Sequence, residues 1–336
     1  MKVKKSVIKS QSSADINKEA LESITDPTMR KYFEGVLERT SLDHDAQETA
    51  EELKSNIPTD IKSAGVQEWL PVCPMPTDLC RVSPFFPLNK KDLTNRPFIK
   101  KMKIADNSWG KIFFTGPKLS TYEEDVLMAI LALLNDSHIR SETTIGGRVS
   151  YSYEGTYYPL LKLIDGPHPN QKAYNRVYDA LGLLSTSSLN LQIIKHGELK
   201  TEELVNILTY AKRDHETKQL KIVVNPYFYE IYMAGNFTLI EIKQRLRLSS
   251  PVAKALHRFV MSHRDNTWHG HFETLADSLN IDKDQPKKQK RRLIKSAINQ
   301  LKEENILTGK STFISLDVVR LERTHEAIKR KKALKK

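Results

Sequence analysis

Cysteine is nearly absent from this 336-residue sequence, with Cys73 and Cys80 as its two copies in a proline-rich stretch. Neither CxxC nor a companion Cys/His pair at zinc spacing accompanies them, which excludes a zinc module and leaves two free thiols. No apolar run approaches the roughly 18 residues of a membrane span. The opening MKVKKSVIKSQSS lacks the apolar segment and small-residue cleavage site of a secretory signal, so a cytoplasmic protein without a membrane partner is expected. Nucleotide-binding glycines are missing too. Gly309-Lys310-Ser311 ends a phosphate-loop pattern, but Glu304 stands where its first glycine belongs, and the segment reads as a turn.

Catalytic constellations are equally scarce. His269-Gly270-His271 is similar to the paired histidines of metal-dependent rolling-circle nickases, with His257 and His263 as nearby donors. Those enzymes place a nucleophilic tyrosine after the pair, and the last tyrosine here is Tyr232. The histidines therefore read as surface or turn residues. With no Ser/His/Asp set or acid pair visible, the chain is expected not to be an enzyme and to need no cofactor or metal.

Positive charge is what the sequence does have. The net charge is +12, yet residues 1–60 carry 9 Lys/Arg against 12 Asp/Glu, whereas residues 281–336 carry 17 against 7. A field concentrated in the last sixth of a chain is the footprint of a phosphate-backbone partner. The lysine-rich end, Lys329 to Lys336, has no aromatic interleaving and is read as a solubilising tail.

Periodicity organises the rest. Residues 1–70 are polar and read as a mobile, partly helical arm. Residues 71–110 read as an extended connector holding six of the fifteen prolines, with Trp69, Phe85 and Phe86 able to dock on a neighbour. From Ser120 the pattern is helical: Ser120 and Glu123 form a capping box, and Val126, Leu127, Ile130, Leu131 and Leu134 a stripe. A turn at Gly146–Gly147, the β-rich RVSYSYEGTYY, a helix over Gln171–Leu184 and strands at Leu189–Ile194 and Leu220–Val224 follow. The two strands are expected to pair as a wing. The order then repeats, with helices over Pro251–His263, Phe272–Leu279 and Lys287–Glu303 and strands at Ile306–Thr308 and Phe313–Leu316 turning through Gly309–Lys310. The expected fold is α+β and mainly helical: tandem winged-helix domains over 111–240 and 241–320, the second ending in a basic tail over 321–336.

The helix KKQKRRLIKSAINQLKE carries the function. At 100° per residue Lys288, Arg292, Lys295, Asn299 and Lys302 fall within roughly 80° of arc, opposite Leu293, Ile294, Ala297, Ile298 and Leu301. A solvated helix face usually mixes signs for i,i+4 pairs, but here no acid precedes Glu303. Unrelieved like charge costs helix stability, so double-stranded DNA is the expected partner. Arg292 and Asn299 suit base edges and Lys288, Lys295 and Lys302 suit phosphates, while Lys287, Arg291 and Lys310 are further candidate DNA contacts. The first domain's counterpart, NQKAYNRVYDALGLL, offers Lys172 and Arg176 against Asp179, enough for an auxiliary DNA contact or a face toward another subunit.

These segments also carry a family likeness. IFFTGPKLSTYEEDVLMAILAL, the stretch from Tyr174 to Gly197, KIVVNPYFYEIYMAGNFTLIEIKQRLRL, SSPVAKALHRFVMSH and HFETLADSLNI resemble, in order, TrfA-type plasmid replication initiators over about Lys111 to Thr308. The resemblance implies binding to repeated origin sequences (iterons), melting of an adjacent AT-rich region, and recruitment of the host initiator DnaA, the replicative helicase and the sliding clamp. It also implies a homodimer in equilibrium with an active monomer. The family's Gln-Leu-x-Leu-Phe clamp peptide has no counterpart, Gln67-Glu68-Trp69-Leu70 being a distant echo. A transcription regulator with the same two domains is the alternative reading, and a nickase a third.

Overall fold

The structure is a computed structural model that describes residues 72–327 except 82, 89, 95, 108–109, 136–138, 167, 196–197, 218 and 326. The arm over 1–70, with Trp69 and the clamp-peptide echo, and the lysines from Lys329 onward lie outside the described residues.

Two hydrophobic cores organise the chain. The first forms around α2 (Thr121–Leu134), whose Ser120 cap and Glu123 close the capping box. The stripe read from the sequence suggests a half-buried helix, but every residue of α2 except Tyr122 is buried. A helix apolar on nearly all sides requires cover on all sides. That cover comes from β1 (Val72–Pro76), β7 (Arg148–Thr156), α3 (Tyr158–Asp165) and α4 (Gln171–Ser185), with α6 (Ile242–Arg247) and α7 (Pro251–Ser262) arriving from later in the chain.

The proline-rich stretch is not a connector from residue 72 onward. β1 pairs antiparallel with β12 (Phe237–Glu241), α1 (Thr77–Arg81) follows, and β2 (Phe85–Phe86) pairs parallel with β5 (Leu119–Ser120). Cys73, Met75, Leu79, Cys80 and Phe85 are completely buried, so this segment is part of the first core. Both cysteines are free, and burial pushes the Cys80 thiol up to about 12, keeping it protonated and inert.

Two four-stranded antiparallel sheets contribute to the first core. One runs β3 (Phe98–Asn107), β4 (Gly110–Pro117), β8 (Ser188–Lys195), β9 (Glu198–Asn206); the other runs β10 (Leu208–Arg213), β11 (Gln219–Val224), β7, β6 (Arg140–Ile145). Gly146 and Gly147, at φ 56° and 81°, close the β6–β7 hairpin with the positive φ pair a tight two-residue turn needs. The expected pairing of the strands at 189–194 and 220–224 does not occur. β8 pairs with β9 and β4, and β11 with β10 and β7, because the intervening polar stretch itself folds into β9 and β10. Fifteen strands stand among the described residues, so the fold is mixed rather than mainly helical.

The second core holds α7, α8 (Phe272–Ser278) and α9 (Lys287–Glu303) against the sheet β13 (Thr267–His271), β15 (Val318–Glu322), β14 (Thr312–Phe313). The last hairpin is displaced from its expected place. Ile306–Thr308 contributes only the single bridge Leu307–Arg323, and the turn runs through Ile314–Asp317 instead of Gly309–Lys310. β13 went unread in the sequence. Gly270 lies under the Trp268 ring, where a Cβ would come within 2.4 Å of a ring carbon. The expected tail at 321 is also corrected: Leu321, Arg323 and Ala327 are buried.

A charged cluster joins the two cores. Arg245 Nη2 and Arg258 Nη1 reach the two oxygens of Glu124 at 2.8 and 2.6 Å, and Arg245 Nε reaches Asp125 at 2.6 Å. Lys254 closes on the other Asp125 oxygen at 2.5 Å. Both arginine side chains and Glu124 are fully buried. Burial works against the Arg245 charge, yet Glu124 and Asp125 hold its pKa above the ordinary value. Next to this cluster His257 is buried, 3.3 Å from Gln244, and burial together with the Arg245 charge lowers its pKa to about 3.

Candidate nucleic-acid interface

Helix α9 stands on the second core through Ile294, Ala297, Ile298 and Leu301, all buried, with Leu293 packed at the margin. These five positions recur at three- and four-residue spacing, which fixes the rotation of the helix about its axis. Lys288, Arg292, Lys295 and Asn299 are consequently exposed on the outer face, with Lys302 half-buried at its end. None of Lys288, Arg292, Lys295 and Lys302 is ion-paired to a described residue; Lys295 lies 5.6 Å over the Phe313 ring.

The remaining residues singled out from the sequence fall into different surroundings. Lys287 pairs with Glu273 at 3.0 Å in an exposed contact, and the pairing lowers the Glu273 pKa. Arg291 is turned inward: its guanidinium lies 4.3 Å over the Phe272 ring, Nε donates to the Leu316 carbonyl at 2.9 Å and Nη2 to Asp317 at 2.6 Å. Lys310 is exposed in a turn closed by Ser311 N–H on the Thr308 carbonyl, away from the hairpin tip to which it was assigned. Lys172 is exposed near the start of α4, and Arg176 stacks 3.5 Å over Tyr122. The outer side of α4 also presents Tyr178 and Asp179, so its net charge is small.

The histidines do not assemble. His257 is inside the protein and His263 caps α7 against Phe259, while His269 and His271 stand exposed on β13. Among the described residues no group of three or more His, Cys, Asp or Glu is placed to hold a metal ion. No helix there is long and apolar enough to cross a membrane. What sequence reading missed is the hairpin tip, where Ile314 and Leu316 stand exposed beside Arg291. Their apolar spacing is that of an ordinary strand, and only the turn geometry reveals them.

Residues 112–261 match the family model described as Initiator Replication protein, WH1. Among solved structures the chain is similar to domains 2 and 3 of RctB in a selenomethionine crystal structure, with TM-score 0.52 and 12% identity over 74% of this chain and 98% of that one. A second RctB domain 2–3 structure gives TM-score 0.48 and 11% identity over 76% and 99%. The Pi initiator protein, crystallised in complex with iteron DNA, gives TM-score 0.41 and 21% identity over 60% and 90%. No curated protein matches.

Proposed function

We propose that this chain, whose residues 112–261 match the WH1 model of the initiator replication proteins, initiates plasmid replication by binding repeated origin sequences through α9. The single observation that carries the reading is the outer face of α9. Four side chains able to meet DNA stand exposed on a helix locked to its core, and no carboxylate relieves the cations. Fixed cations that the protein leaves unneutralised are neutralised by a polyanion, with release of its counterions.

In this reading each core is a winged-helix domain: α2 to α4 with the β8–β9 hairpin, and α7 to α9 with the β14–β15 hairpin. The second does most of the DNA binding. Lys288, Lys295 and Lys302 meet phosphates and Arg292 and Asn299 meet base edges. Lys287 and Lys310 add peripheral attraction. The first domain, with Lys172 and Arg176 on a weakly charged α4, supports self-association and an auxiliary contact, in a homodimer that yields an active monomer. Melting of the origin and recruitment of DnaA, helicase and clamp follow from the family likeness. The protein acts by binding and deforming DNA, without catalysis of its own.

The test is selection of duplexes from a random pool by the full-length chain, followed by salt-titrated affinity. A selected motif that recurs as tandem direct repeats beside the gene supports the initiator reading. A single promoter-proximal copy makes the chain a regulator. Reproducible ADP release or protein-dependent nicking of supercoiled DNA overturns the non-enzyme assignment.

A further inference from the structure

The turn joining β14 and β15 exposes two large aliphatic side chains, Ile314 at 58% and Leu316 at 73%, with Val318 following at 37%. A loose loop could carry such residues without consequence, but this turn is held from three directions. Ile314 N–H donates to the Val318 carbonyl at 2.8 Å, and the Ser315 hydroxyl accepts from Val318 N–H at 3.2 Å and Asp317 N–H at 3.4 Å. The first residue of α8 holds it from below, Phe272 N–H donating to the Asp317 carbonyl at 2.8 Å. Arg291 holds it from α9, through the Leu316 carbonyl and the Asp317 carboxylate. The backbone is fixed, and the two aliphatic side chains are what it presents.

The tip is continuous with the cationic face. Arg291 immediately precedes Arg292, and Lys295 lies over Phe313 at the base of the same hairpin. Lys295 thus brings the cationic face to the base of the hairpin whose tip carries Ile314 and Leu316. A duplex offers phosphates to the cations and, between its strands, a groove floor of stacked bases against which an apolar side chain can press. Aliphatic groups form no hydrogen bond to a base edge, so they act by the cost of opening a base step, which is lowest at flexible pyrimidine–purine steps.

We infer that Ile314 and Leu316 form a wedge that enters the minor groove beside the α9 contact and bends the duplex, and that Arg291 is a positioning residue for this wedge. The inference rests on the reading that α9 binds DNA. It reassigns Arg291, because a guanidinium stacked on Phe272 and committed to Leu316 and Asp317 orients the tip in place of contacting a phosphate. Sequence preference then extends to base pairs that no polar side chain touches.

The experiment uses the full-length chain and duplexes selected by it from a random pool, labelled at both ends for energy transfer, with affinity measured across a salt series. In the double variant Ile314→Ser, Leu316→Ser the bend should disappear, affinity should fall about tenfold, and the salt slope should stay as in the parent. Preference for a pyrimidine–purine step beside the α9 site should vanish as well. Because both side chains are exposed, the melting temperature should not move, which separates a lost wedge from a lost fold. Arg291→Lys keeps the charge and loses the forked geometry, and should reproduce the loss of bend with an unchanged slope. A double variant that bends DNA at parental affinity overturns the wedge, as does an Arg291→Lys protein that bends normally. If the parent protein binds and leaves the duplex straight, the wedge fails and the α9 reading survives. If the parent binds no duplex, both fall.

Discussion

The protein treats its basic residues in two opposite ways. Between the cores Arg245 and Arg258 are fully buried and each meets a carboxylate, whereas on α9 Lys288, Arg292 and Lys295 are exposed with none. Charge counting ranks the two regions alike. Pairing separates them: a cation neutralised inside the fold has no field to offer a partner, and one left bare at the surface keeps all of it. Arg291 stands between these cases, half-shielded and used to hold a turn.

The comparison can be broken most forcefully at Glu124. Glu124→Ala strands the buried Arg258 guanidinium, leaves Arg245 with Asp125 alone, and should cost about 3–5 kcal/mol, lowering the melting temperature by roughly 10 °C. Thermal melts of the full chain check this, and a shift within 1 °C or so would mean that the two cores do not depend on the cluster. The same dependence bears on dissection at about residue 240, which would leave Arg245, Lys254 and Arg258 without their carboxylates.

Acid should attack the same region. His257 is buried neutral with a pKa lowered to about 3, while the unfolded chain takes up its proton near 6.5. Between these values the unfolded state holds one more proton, so stability falls as pH drops below 6.5, by up to about 1.4 kcal/mol per pH unit, and this contribution is complete above that pH. Denaturant titrations at pH 5 and pH 7 should therefore differ less in His257→Gln than in the parent protein. An equal difference in both would assign the acid sensitivity to other groups.

On the exposed side the effects belong to binding and leave the fold alone. Arg292→Ala or Asn299→Ala should each cost about 1–3 kcal/mol on the cognate duplex and relax discrimination at one base pair. Lys288→Ala or Lys295→Ala should give the smallest change, a uniform weakening on all sequences with the salt slope reduced by about one unit each. Melting temperatures should stay put in all four. Unchanged affinity in all four folded variants would remove α9 from the interface.

Much of this was legible along the chain, and where it was not the reason is physical. The rotation of α9 is set by a 3.6-residue period within seventeen residues, so its outer face could be read directly. The β8–β9 hairpin could not, because eight of the nine residues of β9 are exposed or half-exposed and leave no alternation to detect. The segment 72–86 reads as an extended connector because prolines discourage regular structure locally. Its strand β1 exists because β12, some 165 residues later, supplies the partner edge.

By itself the sequence determined the capped start of α2, the glycine turn of β6–β7, and the cationic face of α9. Each of these follows from residues within a single turn or a single helix. Only the tertiary structure decided which charges remain available to a partner. Glu124 and Arg258 lie 134 positions apart, and Arg291 and Asp317 lie 26 apart. Local spacing carries no trace of such pairs, because ion pairing depends on distance in space, and packing of the two cores sets that distance.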